Sequence, residues 1–153
     1  MTLKKGEMLS KAIHIATNAH HGQFDKGGKP YILHCFRVMN YLDSDDEELQ
    51  CMCLLHDVAE DTKITFQDMR DAGMSDRVIT ALRLVTKMPG QTYEEYKDGV
   101  TSNLDAMKVK KADLTDNSDI RRLKGISEKD IERTVKYQRF YLEIEAKLKV
   151  SEK

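Results

Sequence analysis

Apolar residues recur along this chain at intervals of three and four, the spacing of one face of an α-helix. Met8, Ala12, Ile15, Ala16 and Ala19 form the first such stripe and predict a helix from about 7 to 20. Phe36, Val38, Met39 and Leu42 predict a short helix from His34 to Leu42. Ser44-Asp45-Asp46-Glu47 reads as a capping box opening the next helix, which is expected to run on through His56 and Asp57. Thr65-Phe66-Gln67-Asp68 starts another short helix that closes near Gly73. Ser75 caps a helix carrying Val78, Ile79, Leu82 and Val85. Thr92-Tyr93-Glu94-Glu95 repeats the capping-box pattern. Leu104, Met107, Val109 and Ala112 place a helix over about 103 to 117. Ser127-Glu128-Lys129-Asp130 opens a long last helix through Ile131, Val135, Phe140, Ile144 and Leu148. Pro30 and Pro89 both flank glycine and mark loops, the first ending a stretch from Gly22 rich in glycine and lysine. The alternation of a strand is absent, and no repeat or linker divides the chain. The prediction is an all-α, single-domain bundle over residues 1–153, with any ligand site between helices.

Composition narrows the function. The chain has 153 residues, enough for one core, and 40% hydrophobic against 33% charged residues marks it as globular. A net charge of −1 offers no global field for nucleic acid or anionic lipid, so a polyanionic ligand needs a local cluster. No nucleic-acid or membrane partner is therefore expected; a homo-oligomer stays open. Residues 1–7 lack the apolar core of a signal peptide, and no apolar run is long enough to cross a bilayer. Cys35, Cys51 and Cys53 are odd in number and form no CxxC knuckle, which favours reduced thiols in a cytoplasmic protein. The eight methionines suit gap-filling in helical cores.

The chemistry concentrates in Leu54-Leu55-His56-Asp57-Val58-Ala59-Glu60-Asp61-Thr62. Four ionisable groups on an apolar helix are costly unless something offsets their desolvation. A divalent metal does so, since it binds neutral imidazole and carboxylate oxygen directly. His56 and Glu60 are spaced i, i+4, as are Asp57 and Asp61, giving two neighbouring stripes. Further candidate ligands are His34, after the glycine loop, and Asp113, one turn before Asn117. Two histidines and two aspartates suit Mn²⁺, Fe²⁺ or Co²⁺. Taken singly, His34 also reads as a helix cap and Asp113 as a solvated helix residue. Spacing alone does not bring the three segments together.

Taken in order, these segments resemble the HD-domain phosphohydrolases of the RelA/SpoT hydrolase type. Ala19-His20-His21-Gly22-Gln23 through Asp25-Lys26-Gly27-Gly28-Lys29-Pro30-Tyr31-Ile32-Leu33-His34 resembles that family's opening. Leu55-His56-Asp57-Val58-Ala59-Glu60-Asp61-Thr62 resembles its central signature, and Val85-Thr86-Lys87 its TK segment. Lys110 to Asn117 and Arg133 to Tyr137 resemble its later segments. The resemblance covers roughly residues 8 to 140. It implies a helical fold and one divalent ion, usually Mn²⁺, held by His34, His56, Asp57 and Asp113. It makes Glu60 and Asp61 the catalytic carboxylates that orient and deprotonate water. It makes Lys26, Asn117 and Tyr137 nucleotide contacts. The implied reaction removes pyrophosphate from the 3′ position of guanosine 3′,5′-bis(diphosphate). Since the larger members continue into a synthetase, the expectation is a small, hydrolase-only alarmone hydrolase.

Lys26, Lys29, Lys87 and Lys110 are candidates to balance phosphate charge, with Lys29 and Lys87 read as solvated. Two positions depart from the family pattern. Asp25 stands where many members have arginine, and a carboxylate there repels phosphate or contacts a ribose hydroxyl or a base amino group. Cys35 replaces a frequent proline and reads as a small buried apolar residue. Asp25 keeps open an alternative, a phosphatase or phosphodiesterase for another nucleotide; a non-catalytic binding module is a third reading, opposed by the complete set of acids and ligands. His14 and His21 read as structural, and His20 as bordering the site. Tyr93 and Tyr96 divide between the pocket and packing, and the basic cluster Arg121, Arg122 and Lys124 is either a phosphate-tail site or, as favoured, a solvated face.

Overall fold

The computed structural model describes residues 2–152. Among them are nine α-helices: α1 (Glu7–Ala19), α2 (Ile32–Leu42), α3 (Glu47–Leu55), α4 (Val58–Asp61), α5 (Phe66–Asp71), α6 (Asp76–Val85), α7 (Tyr93–Thr101), α8 (Leu104–Asn117) and α9 (Glu128–Ser151). A 3₁₀ turn, Ile120–Arg122, separates the last two. The one β-like feature among the described residues is an isolated bridge between Phe24 and Pro30. It closes the glycine- and lysine-rich loop on itself, and Tyr31 N–H donating to the Gln23 carbonyl at 2.9 Å ties the loop ends together.

The all-α expectation holds, and most helix starts fall where their caps stand. Thr65, Thr92 and Ser127 each make a reciprocal box, with Asp68, Glu95 and Asp130 respectively. Ser75 accepts from the Val78 amide and Asn103 from that of Ala106. Asp46, not Ser44, caps α3, taking the Glu48 and Leu49 amides, and no reciprocal box forms there. A side-chain acceptor for amides that have no intrahelical partner makes these boundaries local decisions.

The core is built around α3. Leu49 and every residue from Cys51 to Leu55 are buried, so the second half of this helix is apolar all round. It packs against α1, α2, α6 and α8, while α8 also meets α7 and α9. All three cysteines are free and buried, Cys35 filling the small apolar role expected of it. The last helix departs from its predicted stripe. Phe140, Ile144 and Leu148 are buried, but Ile131 and Val135 are exposed. The first half of α9 runs along the rim of a pocket, which Asp130, Arg133, Thr134 and Tyr137 line, instead of lying on the core.

The sharpest departure lies at His56 and Asp57. The expected continuous helix breaks here: Asp57 has φ −105° and ψ 0°, and α4 is a single new turn. Adjacent residues on an unbroken helix diverge by about 100°. The break instead turns the two side chains to one point, with His56 Nε2 3.0 Å from Asp57 Oδ2. The apolar residues just before the break hold it in place. Leu54→Ala should lower the unfolding free energy by about 2–5 kcal/mol, through lost burial and a residual cavity. The half-exposed Leu142→Ala should change it by less than about 0.5 kcal/mol. Chemical denaturation of the two variants compares them, and equal losses would contradict the core assigned to α3.

Candidate active site

His34 comes from the first turn of α2, His56 and Asp57 from the break between α3 and α4, and Asp113 from the middle of α8. Each offers one ligand-type atom, and all four atoms lie within 4.8 Å of one another. The two imidazoles meet through Nε2 at 3.2 Å. Asp113 Oδ1 is 3.0 Å from His34 Nε2 and 3.1 Å from His56 Nε2. His34, His56 and Asp113 are buried.

Each of these groups is held from behind. His56 Nδ1–H donates to the Cys53 carbonyl at 2.7 Å, and a carbonyl cannot donate in return. His34 Nδ1–H donates to Asp116 Oδ2 at 2.6 Å. Asp116 is fully buried and is itself clamped by Arg37 Nε at 2.8 Å. The Tyr31 hydroxyl donates to Asp57 Oδ2 at 2.5 Å. Lys110 Nζ reaches Asp113 Oδ2 at 2.9 Å and Asn117 Nδ2 reaches Asp113 Oδ1 at 3.0 Å. Such outer hydrogen bonds fix tautomer and orientation for metal-ligating residues. With both Nδ1 atoms carrying hydrogen, the neutral rings point two lone pairs at each other. That arrangement needs a positive charge between them, either protons or a cation. A mixed set of two imidazoles and two carboxylates fits a divalent ion.

Electrostatics describe the same demand. Burial pulls the His34 imidazole down, but the carboxylates of Asp113, Asp116 and Asp57 overturn this and push it up to about 11. Burial likewise opposes the charged form of His56, and Asp57 and Asp113 raise it well above its ordinary value. Asp113 stays well below the carboxylate range, because Lys110 and His56 outweigh its burial. Glu60 and Asp61 move the other way: burial and the nearby Asp57 charge raise both.

The cluster opens into a pocket of about 420 Å³, where Tyr31, Asp57 and Asp113 meet Glu60 and Asp61. Asp57, Glu60 and Asp61 also bring carboxylate oxygens within 4.8 Å of one another. Glu60 Oε1 accepts the Lys87 amide at 3.2 Å, so the backbone of that lysine, not its charge, serves the site. Lys26, Asn117 and Tyr137 line the same pocket.

Other residues settle differently. Tyr96 is buried with its hydroxyl on the Val85 carbonyl at 2.9 Å and its ring stacked on Tyr93, a packing role. His20 is buried against the Tyr31 ring with Nδ1 on Gln23 Oε1, and so borders the site. His14 pairs with Asn18 on the surface. Arg121 is solvated, as expected, but Arg122 is not. Its guanidinium lines the pocket and reaches Asp25 Oδ2 at 3.3 Å and Asp116 Oδ2 at 2.9 Å. Asp25 is therefore engaged by a cation. Sequence reasoning gave Asp116 no role and favoured a solvated face for Arg122. A carboxylate three residues after Asp113 and directly before Asn117 was the available sign of the first.

Fold and site define an all-helical protein with an HD-type histidine–aspartate cluster. No protein-family model matches the chain. It is 33% identical over 104 residues, 66% of its length, to the guanosine-3′,5′-bis(diphosphate) 3′-pyrophosphohydrolase of Vibrio cholerae. It is 34% identical over 101 residues, 65% of its length, to the bifunctional (p)ppGpp synthase/hydrolase SpoT of Escherichia coli. The chain spans 14% of the length of each of these relatives. Its fold matches a solved structure described as a metazoan ortholog of SpoT that hydrolyzes ppGpp and plays a role in starvation responses. The TM-score is 0.77 at 23% identity, covering 97% of this chain and 95% of that one. The chain is thus a relative of the (p)ppGpp hydrolases, in line with the resemblance carried by its motifs. No described helix is long and apolar enough to cross a membrane.

The histidine protonation gives a pH test. The surrounding carboxylates favour the charged form of both imidazoles, and an ion must displace any proton held at Nε2 to bind there. Mn²⁺ affinity should therefore rise with pH, by up to about tenfold per unit for each proton released. Calorimetric titration at pH 6.5 and 8, in buffers of differing ionisation enthalpy, measures both the affinity and the protons released. An affinity flat across that range, with no proton release, would contradict metal entry at the two imidazoles.

Proposed function

We propose that the chain is a metal-dependent phosphohydrolase that removes pyrophosphate from the 3′ position of guanosine 3′,5′-bis(diphosphate). The observation that carries this reading is the convergence of His34, His56, Asp57 and Asp113, of which Asp57 and Asp113 line a pocket together with Glu60 and Asp61. The names of the Vibrio and Escherichia relatives support the substrate. His34 and His56, through Nε2, and Asp57 and Asp113, through a carboxylate oxygen each, would hold one divalent ion, for which we favour Mn²⁺. Once bound, that ion would supply a water of lowered pKa and a Lewis acid for a phosphoryl oxygen.

The chain's own groups do the rest. Glu60, whose carboxyl is raised above its ordinary value by burial and by Asp57, is suited to accept the proton of the attacking water. Its Oε1 is fixed by the Lys87 amide, which leaves Oε2 for that proton. Asp61 orients the water beside it. Water adds across the bond between the ribose 3′ oxygen and phosphorus, pyrophosphate leaves, and guanosine 5′-diphosphate remains. Lys110 is already spent on Asp113, so it steadies a ligand and does not meet the phosphate. Lys26, Asn117 and Tyr137 contact the nucleotide. Lys26 is the exposed one of the three, while Asn117 also braces Asp113.

Purified protein with Mn²⁺ should release pyrophosphate from the bis(diphosphate), and Asp57→Ala should abolish release. Glu60→Gln should lower kcat by about 10²–10⁴ while the protein keeps its metal. The same assay run over a panel of nucleoside mono-, di- and cyclic phosphates sets the substrate. No pyrophosphate released from the bis(diphosphate) by fully metal-loaded protein would sink the substrate claim. A Glu60→Gln variant with unchanged kcat would remove the base from Glu60.

A further inference from the structure

His20 and Gln23 border the site, and their side-chain hydrogen bonds run to each other and to the end of α4, not to the ligand cluster. His20 caps the end of α1, where its amide donates to the Ala16 carbonyl at 3.0 Å. Gly22, at φ +82°, turns the chain back, so that the Gln23 amide donates to the His20 carbonyl at 3.0 Å. The Gln23 carbonyl in turn accepts the Tyr31 amide at 2.9 Å. Both side chains therefore start from a pinned backbone.

One placement of the hydrogens satisfies this network. The Asp61 carbonyl can only accept, so the group facing it at 3.1 Å is the Gln23 Nε2 amide. Gln23 Oε1 then faces His20 Nδ1 at 2.8 Å, and Nδ1 carries the hydrogen. The other ring nitrogen of His20, Nε2, is buried with no partner. A phenylalanine or leucine would fill the same space without that cost, so the imidazole is kept for what Nδ1 does. The backbone it secures is that of a catalytic carboxylate. Helix α4 is a single turn, Val58–Asp61, and the last carbonyls of a helix have no intrahelical partner. Glu60 is fixed through its carboxylate by the Lys87 amide, whereas Asp61 is fixed through its main chain by Gln23. The His20 ring also packs on that of Tyr31, with centroids 4.9 Å apart, and the Tyr31 hydroxyl holds Asp57.

We infer that His20 and Gln23 are a positioning pair for Asp61: the imidazole orients the amide, and the amide holds the end of α4 so that the Asp61 carboxylate stays at the attacking water. This rests on the phosphohydrolase reading, in which Asp61 orients that water. Neither residue touches substrate or metal; both act through Asp61. Loosening a group that must be placed for reaction lowers the rate of the chemical step, by about ten- to hundredfold for a displacement of about 1 Å. Substrate and metal binding should be left nearly as they were.

The test measures kcat and KM with Mn²⁺ and guanosine 3′,5′-bis(diphosphate), each variant being checked for bound metal and melting temperature. Gln23→Met, equal in length but without the amide, should lower kcat about ten- to hundredfold with KM and metal content unchanged. In an Asp61→Asn background the same substitution should cost less than about twofold, because its effect passes through Asp61. His20→Asn, whose amide nitrogen stands where Nδ1 does, should keep most of the rate. His20→Gln, whose amide lies nearer Nε2, should lose as much as Gln23→Met. Full kcat in Gln23→Met, an undiminished loss in the Asp61→Asn background, or a loss confined to KM or metal content would overturn the inference. His20→Asn no better than His20→Gln would remove His20 from the pair. Where a His20 variant fails to fold, Gln23→Met in the two backgrounds decides alone. If wild-type protein hydrolyses nothing, the functional reading has failed, and crystal structures of wild type and Gln23→Met decide the positioning. An Asp61 carboxylate displaced or disordered in the variant supports it, and one superimposing on wild type overturns it.

Discussion

Two imidazole nitrogens face each other 3.2 Å apart at the centre of this protein, with two carboxylates beside them. That contact is tolerable only with positive charge between the rings, because each ring's other nitrogen donates to a fixed acceptor. A proton meets part of the demand, and the carboxylates beside the rings push both histidines toward the charged form. A divalent cation held by the four residues would meet it better, since it would neutralise the carboxylates as well. Leaving such charges uncompensated away from water costs several kcal/mol per group. Both the outer hydrogen bonds and the helix break serve this one demand.

The fold supplies the rigidity. Helices α2 and α8 contribute one group each, and the break that follows α3 carries the other two. Because the interior around α3 is close-packed, the break at Asp57 is held in one geometry. The same packing sets the outer layer. Tyr31, Asp116, Lys110 and Asn117 each touch a group of the cluster and come from the loop, α2 or α8 neighbours of α3. Asp116 then extends the arrangement outward: one carboxylate bonds His34, Arg37 and Arg122 together. The cluster and the rim of the pocket therefore share a single rigid scaffold.

The local features were legible in the sequence. Caps such as Thr65, Thr92 and Ser127 act within one turn, so their residue types suffice to place a helix start. The ordered motifs also pointed to the four converging side chains, although spacing alone left the convergence open. What could not be read was non-local. The break at Asp57 follows from tertiary convergence, and the local sequence continues the helical pattern straight through it. Arg122 sits in a run of charges typical of a solvated face, and its partner Asp25 lies 97 residues away. Asp25 looked like a threat to phosphate binding only while that partner was unseen. Ile131 and Val135 fitted an apolar stripe, yet they belong to the half of α9 that borders the pocket.

The central claim is that one divalent ion occupies the point where the two imidazoles meet. Anomalous diffraction from crystals loaded with Mn²⁺ tests it most directly. The account predicts one anomalous peak per chain, within bonding distance of both Nε2 atoms and of one oxygen each from Asp57 and Asp113. A peak elsewhere, or none at saturating Mn²⁺, would contradict it.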